Sequence, residues 1–552
     1  MQGAVCVYPR PMLRREGIAR ERIDEAEVIG AITHRVSSRL AHGELDILLN
    51  ETVFMEEKRL RNSTDSGEKA YLAMLRDVRR QLARASRREL EQLLRRIVEH
   101  YAHEIHGHFD ESTYSSATRM LPKGLALLLK RQKPWELLQQ GMKGLTLSDR
   151  IVSSGEITTF DRLVERGTVV LVPTHLSNMD SPVIGFALHA NNLPPMIYGA
   201  GINLFSNWLL SYFMDHLGAY RVDRAKKHGL YKECLKEYSQ YCIERRWHSL
   251  FFPGGTRSRS GRIEAKLKKG LMGTGLAAYQ QNLAQGRELP RVFFVPCTIN
   301  YRLVLEAETL IEDHLADEGK ARYIITDDEF SRPDKVLGFV RKMAAMDSSV
   351  EVRFGRPLDP FGNFVDANGD SLDPHGRPFD PAGYVTRDGA VVLDEQRDRV
   401  YTERLAEQIS AAFFRNTVLF ATNVFCAAIQ RRLERARPGL DEYRRLLLGP
   451  EDRTFSTLEV DAELDHLLTA LRALRDAGEV QLSRPLAVGT AKDLRHAAIH
   501  QLGMVHSTPP IRDAGDGTVV LEDPKLALYY ANRLVGFDLP EPLPSRGPSE
   551  ES

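Results

Sequence analysis

Between residues 145 and 355 short apolar runs alternate with stretches of helical periodicity, and no other feature narrows the possible folds so far. The runs cover 168–172, 196–199, 249–252, 292–296, 322–326 and 349–354. Runs this short suit strands, and runs apolar throughout suit strands covered on both faces. Strands separated by helix-length connections pair in parallel, because a parallel neighbour is reached only by a crossover. The pattern predicts an α/β domain with a mainly parallel central sheet flanked by helices. Open sheets of this kind bind ligands beyond the C-terminal ends of their strands, so polar residues there are the first candidates for a site.

The flanks read differently. Residues 15–140 are highly charged, with apolar positions at three- and four-residue spacing, as in amphipathic helices. His100, His103 and His106 recur there, but not at the spacing of a zinc-binding helix, and a solvated helix end is the better reading. Asp, Gly and Pro crowd 355–395 as serial turn signals. Asp366, Asn368 and Asp370 hint at a calcium loop, but Ser371 and Arg377 stand where it needs Gly and Glu. Helical periodicity resumes over 398–483, with strand-like runs at 479–482 and 518–521. The expected division is an N-terminal helical region (1–144), a catalytic domain (145–355), a turn-rich excursion (356–397), a mostly helical C-terminal domain (398–537) and a disordered tail (538–552).

Lys plus Arg equal Asp plus Glu at 75 each, which removes any global signal for nucleic acid. The balance is uneven along the chain. Residues 221–270 carry fourteen basic against five acidic side chains, an excess suited to an anionic substrate or an anionic membrane face. Cys6, Cys234, Cys242, Cys297 and Cys426 have no metal-like spacing and read as buried or free thiols. No metal site and no bound cofactor are expected. No signal peptide is evident, and no uncharged apolar stretch is long enough to span a bilayer as a helix.

The run at 168–172 ends at Pro173, and His175 and Asp180 follow around the start of an expected helix. A carboxylate one turn from a histidine fixes its tautomer and stabilises its protonated form, leaving the other ring nitrogen to take a proton. Ser177 and Asn178 lie between them and shape the turn. A histidine in this place also serves simply to cap a helix.

Three further segments follow: Gly218-Ala-Tyr-Arg-Val-Asp-Arg224, Phe251-Phe-Pro-Gly-Gly-Thr-Arg-Ser-Arg-Ser-Gly261 and Val295-Pro-Cys-Thr-Ile-Asn-Tyr301. Glycines let the backbone approach a ligand and present N–H groups to an anion, and guanidinium groups grip phosphate with paired hydrogen bonds. Arg224 and Arg257 are the preferred phosphate ligands, with Arg221 and Arg259 secondary and Gly254, Gly255, Thr256 and Ser258 forming the turn between.

In order and spacing the four segments resemble the four sequence blocks of the glycerolipid acyltransferase family, the glycerol-3-phosphate and lysophosphatidate acyltransferases. The resemblance implies an enzyme that moves a fatty acyl group from acyl-CoA or acyl carrier protein to a hydroxyl of a phosphorylated glycerol acceptor. His175 would be the base and Asp180 its orienter. The second and third blocks would bind the acceptor, and Val295-Pro296-Cys297 would be a buried strand and proline turn on the acyl-donor side. The family's third block usually has Glu before the glycine, where this chain has Gly254, and that puts the acceptor in question. Asp223-Arg224 resembles the lysophosphatidate enzymes. Residues 416–426 and 526–534 instead resemble segments of the larger glycerol-3-phosphate enzymes, and with the length they favour that acceptor. The alternatives are a lysophosphatidate or other lysophospholipid acyltransferase, and a non-catalytic lipid-binding adaptor. Residues 202–217, with Trp208, Tyr212 and Phe213, suit either an interfacial helix or a core helix. The expected location is the cytoplasmic face of the cell membrane, held peripherally.

Overall fold

The computed structural model describes residues 24–107, 151–202, 218–304, 306–318, 350–506 and 508–544. One central sheet is built from β1 (Ile151–Gly155), β2 (Thr168–Pro173), β3 (Ile197–Gly201), β4 (Ala219–Val222), β5 (Ser249–Leu250), β6 (Val292–Tyr301) and β7 (Val350–Phe354). Across the sheet the order is β1-β7-β6-β2-β5-β3-β4. β2 pairs in parallel with β5 and β6, and β3 with β4 and β5. β7 runs antiparallel to β6, and β1 parallel to β7. The sheet is thus mainly parallel, with a reversed pair at one edge. The run expected at 322–326 lies outside the described residues.

The strand ends differ from the sequence reading for local reasons. β5 stops at Leu250, because the chain turns at once and the Gly255 N–H bonds the Phe252 carbonyl at 3.1 Å. β6 does not stop at Pro296 but continues to Tyr301, so the expected proline turn is a strand interior. Proline is tolerated there because the ladder to β7 ends at the Cys297–Phe354 pair, and Pro296 contributes only its carbonyl, to the Gly355 N–H at 2.7 Å.

All six residues of β2 are buried, which explains its unbroken apolar run. Alternation splits them between two cores. Val169 and Leu171 face one and Val170 and Val172 the other. Among the described residues the helices preceding the sheet are α1 (Glu25–Leu40), α2 (Leu45–Leu60), α3 (Ser66–Leu82) and α4 (Arg87–Ile105). The sheet strands are connected by α5 (Ile157–Arg166), α6 (Asp180–Ala190), α7 (Gly229–Glu244) and α8 (Met272–Ala284). After them come α9 (Ala307–Glu318), α10 (Glu395–Asn416), α11 (Ala421–Ala436), α12 (Thr457–Asp476), α13 (Ala491–Val505) and α14 (Pro524–Ala531).

The N-terminal helices form a core with α7 and the β3–β4 edge, in which Ile32, Leu94 and Ile97 meet Ile197, Tyr220 and Tyr238. Arg35 of α1 ties this layer to Glu237 and Glu244 of α7 at 3.2 and 2.9 Å. The histidines of α4 are not all solvated, contrary to the sequence reading. The His100 ring stacks on Tyr71 at 3.9 Å, and burial lowers its pKa to about 4. His106 is buried, and only His103 of the three is exposed. The spacing on α4 could not show that α3 brings an aromatic ring over its face.

The turn-rich segment forms short hairpins, Ser371–Leu372 with Pro378–Phe379 and Thr386–Arg387 with Ala390–Val391. Asp366 spends its carboxylate on the N–H groups of Asn368 and Asp370, at 2.8 and 2.9 Å. The C-terminal helices share a core with the sheet: Phe425, Leu464 and Leu526 lie in one cluster with Val169 and Val295. Residues 538–544, expected in a disordered tail, are held in place. The Pro540 and Leu543 carbonyls accept hydrogen bonds from Arg431 and Arg432 at 2.5 and 3.1 Å. Among the described residues no helix is long and apolar enough to cross a membrane.

Candidate active site

His175 sits just beyond β2, and Asp180 opens α6. The intervening turn brings His175 Nδ1 to 2.7 Å from Asp180 Oδ2. Asp180 is fully buried, and four donors surround it. Oδ2 also accepts from the Leu176 and Ser177 N–H groups at 2.7 and 3.0 Å, and Oδ1 accepts from the Tyr301 hydroxyl at 2.7 Å. The free N–H groups at the start of α6 favour a carboxylate at that end. Burial and the neighbouring carboxylate push the Tyr301 hydroxyl well above its usual range, so it remains a donor. A carboxylate ringed by donors has no proton to give. The proton between the pair therefore belongs to His175 Nδ1, and Nε2 is the nitrogen with a free lone pair.

The third block grips His175 from its main chain. The His175 N–H donates to Glu264 Oε1 at 3.0 Å, and the His175 carbonyl accepts from the Ser258 N–H at 2.8 Å. The imidazole stacks on Phe252 at 4.2 Å. Gly255 adopts a φ of 76°, a left-handed conformation that glycine takes without strain, and this closes the turn that carries Ser258 back to His175. The exposed Lys268 places its ammonium over Gly255, adding a cation to the same turn.

The sequence-predicted residues fall into two groups. Gly254, Gly255, Thr256, Arg257, Ser258 and Arg259 lie on the loop after β5, which meets His175 at the Ser258 N–H. Arg257 Nη1 lies 3.9 Å from Glu306 Oε1. Glu306 holds the turn between His175 and Asp180, accepting from the Ser177 hydroxyl and the Asn178 N–H at 3.0 Å each. Arg221 and Arg224 stand elsewhere on the same edge. Arg221 is on β4, in register with Ala200 of β3, and Arg224 follows in an exposed turn. β4 is three strands from β2, or about 14 Å at roughly 4.8 Å per strand. The first group touches His175 through the Ser258 N–H, and the second lies further along the same edge of the sheet. Asp223, beside Arg224, is buried and lies 3.7 Å from Arg59 of α2, so it serves the packing of the N-terminal layer.

Sequence reasoning passed over Tyr301, Glu306, Glu264 and Phe252. Tyr301 was findable: alternation along β6 puts Val295, Cys297, Ile299 and Tyr301 on one face. Glu306 and Glu264 lie in loops and give no periodic signal. Burial raises the pKa of both carboxyls, that of Glu264 to about 8. Burial also pushes the Cys297 thiol up, which keeps it from serving as a thiolate. Cys234, Cys242, Cys297 and Cys426 are buried and free. Among the described residues no group of three or more His, Cys, Asp or Glu is placed to hold a metal ion.

A histidine–carboxylate pair lies at the C-terminal edge of parallel strands beside a glycine turn that carries cations, an arrangement chemically suited to taking a proton from a hydroxyl. Residues 156–300 match the family model described as Acyltransferase, an interval that holds both the pair and the roofing loop. Residues 156–300 thus carry an acyltransferase domain. The chain is similar to the glycerol-3-phosphate acyltransferase of Histophilus somni, 31% identical over 151 residues, covering 27% of this chain and 18% of that protein. It is also similar to the glycerol-3-phosphate acyltransferase of Aeromonas hydrophila, 27% identical over 255 residues, covering 46% and 28%. The similarity thus spans less than a third of the length of these relatives. The crystal structure of a 1-acyl-sn-glycerophosphate acyltransferase from Thermotoga maritima is 14% identical, at a TM-score of 0.25 over 54% of this chain and 80% of that one, a likeness too slight to bear on the assignment.

Proposed function

We propose that the protein is a glycerol-3-phosphate O-acyltransferase. His175 Nε2 takes the proton from the acceptor hydroxyl as its oxygen attacks the thioester carbonyl of acyl-CoA or acyl carrier protein. The C–S bond breaks, the ester C–O bond forms, and the imidazolium returns its proton to the leaving thiolate. Asp180 stabilises the imidazolium between those steps. No enzyme nucleophile is needed, in keeping with the buried Cys297 thiol. Arg257 and Lys268, beside the base, and Arg221 and Arg224, flanking it, supply the charge for the acceptor phosphate, with Arg259 and the 254–258 turn shaping its seat.

The observation that carries this reading is the fully buried Asp180, held by four donors and turned toward His175 Nδ1. That cost in buried charge is hard to explain for an adaptor that binds lipid without chemistry. The choice of glycerol-3-phosphate over a lysophosphatidate acceptor is supported by the C-terminal helices. Asn423 of α11 bonds the Tyr530 carbonyl of α14 at 3.3 Å, the Tyr530 hydroxyl accepts the Val304 N–H at 3.1 Å, and Asn532 bonds the Ser260 carbonyl at 2.8 Å. These are the two segments that resemble the larger glycerol-3-phosphate enzymes, and they pack against the third block and, through the Val418 N–H on Asn300 Oδ1 at 3.0 Å, the fourth.

We further propose that the protein works at the cytoplasmic face of the membrane, held peripherally. The excess of nine basic charges over 221–270 supports this reading. The apolar 203–217 segment lies outside the described residues. Purified protein incubated with acyl-CoA and a panel of phosphorylated glycerols, with products read by mass spectrometry, tests the assignment. Transfer to glycerol-3-phosphate is expected. Transfer only to lysophosphatidate would move the assignment to that acceptor, and transfer to none would remove it.

A further inference from the structure

Gly254 lies where a side chain would crowd the site, and what fills that space is Glu264. A Cβ built on Gly254 would meet the Glu264 carboxyl before anything else, at 2.8 Å from Cδ, 2.8 Å from Oε1 and 3.1 Å from Oε2. The first of these is close to the spacing between the Cβ and the carboxyl carbon within a glutamate side chain. Gly254 does not take the left-handed φ that Gly255 does, so its backbone is open to a side chain. The three atoms nearest that Cβ all belong to the Glu264 carboxyl, so a side chain at 254 requires this carboxyl to shift.

The carboxyl that fills the space has a task. Oε1 accepts the His175 N–H at 3.0 Å, the anchor of the base on the side opposite Ser258. Oε2 is enclosed and has no hydrogen-bond partner. The charged groups facing Glu264 are Asp180 and Arg533, the latter buried just after α14. An enclosed carboxyl with one idle oxygen is costly to the fold, and structural packing alone does not call for it.

We propose that Glu264 is a positioning residue for His175, its carboxyl occupying the place of a side chain at 254 and holding the main chain of the base. This inference rests on the reading of His175 as the base. Glu264 reaches the site from ten residues further along the chain than Gly254. The carboxyl beside Gly254 is therefore supplied from further along the chain.

The test is a swap in the full-length protein, assayed with acyl-CoA and glycerol-3-phosphate. Glu264→Ala is expected to lower kcat about tenfold or more, the worth of a lost buried hydrogen bond felt at the reacting group, with both KM values within about twofold. Glu264→Gln keeps an acceptor at Oε1 and is expected to retain several times the kcat of Glu264→Ala. The double variant Gly254→Glu/Glu264→Ala returns a carboxyl from the other position and is expected to recover most of the loss. Gly254→Glu alone sets two carboxyls in one space and is expected to be worse than the double variant. Amide hydrogen exchange at His175 gives a readout that needs no turnover. Glu264→Ala should speed it about tenfold, and the swap should restore protection.

The proposal is overturned if the double variant is no better than Glu264→Ala, or if Glu264→Ala changes KM and leaves kcat alone. It is also overturned if His175 exchange is the same in all variants. Should Glu264→Ala fail to fold, the double variant decides alone: folded and active supports the proposal, folded and inactive overturns it, and a failure to fold overturns it too, since the returned carboxyl would not have replaced the lost one. Active protein with an indifferent Glu264 refutes this inference only, whereas wild-type protein without transferase activity refutes the reading beneath it.

Discussion

Asp180→Asn separates the charge of Asp180 from its shape. In the native site Oδ2 takes three hydrogen bonds and Oδ1 takes one, from the Tyr301 hydroxyl. An asparagine can place its amide oxygen at Oδ2 and keep all three. Its NH2 then faces the Tyr301 oxygen, which can rotate its proton away and accept. The turn and the His175 tautomer survive, and only the negative charge is lost. That charge acts when Nε2 takes a proton. A cation and a carboxylate with charge centres roughly 4 Å apart interact by about 4 kcal/mol at an effective dielectric constant near 20. A proton half transferred in the transition state would feel about half of that, ~2 kcal/mol. The expected loss in kcat lies between roughly thirtyfold and a thousandfold, at about 1.36 kcal/mol per decade. Steady-state thiol release from acyl-CoA measures it, with KM values little changed and the thermal midpoint within a few degrees of wild type. A variant within threefold of wild-type kcat would refute the electrostatic role of Asp180. A variant that unfolds would refute the hydrogen-bond assignment.

Arg257→Ala and Arg224→Ala should each raise the acceptor KM about ten- to a hundredfold and leave the donor KM nearly unchanged, the usual cost of one charge-assisted contact; equal effects on both substrates would make these arginines structural. Lys226 is buried among the rings of Tyr71, Tyr101 and Tyr231 and pairs with Glu104, clamping the loop after β4 to the N-terminal helices. Lys226→Met should lower chemical stability by about 1–3 kcal/mol and raise the acceptor KM, since the Arg224 turn loses its anchor; an unchanged denaturation midpoint counts against the clamp. Binding to anionic vesicles should weaken with added salt, because lipid-facing basic residues contribute about 1 kcal/mol each and are screened over roughly 8 Å at physiological ionic strength; a protein that ignores such vesicles at low salt is not held at the membrane in this way.

Much of this arrangement was legible because strands and active-site loops leave periodic or punctuated signals. The run at 168–172 and the residues after Pro173 placed His175 and Asp180 correctly relative to a strand end and a helix start. The third block turns at Gly255 and reaches the His175 carbonyl through the Ser258 N–H. Strand lengths were less legible. β6 runs through Pro296 because the neighbouring ladder ends there, a fact set by β7 more than fifty residues later. The residues that hold His175 were hidden for the same reason. Glu264 and Glu306 reach His175 and its turn from loops, and only the folded chain sets them beside it. His100 was misread because burial on α4 depends on Tyr71 of α3, and no pattern within α4 records that.

The most direct test of the central claim is single-turnover acyl transfer to glycerol-3-phosphate by wild-type protein and by His175→Ala, with the fold of each checked by circular dichroism. Wild-type protein should form the monoacylated product, and folded His175→Ala should do so about a hundred to ten thousand times more slowly, the range that a positioned general base supplies. A folded His175→Ala variant that transfers acyl groups at the wild-type rate would contradict the claim.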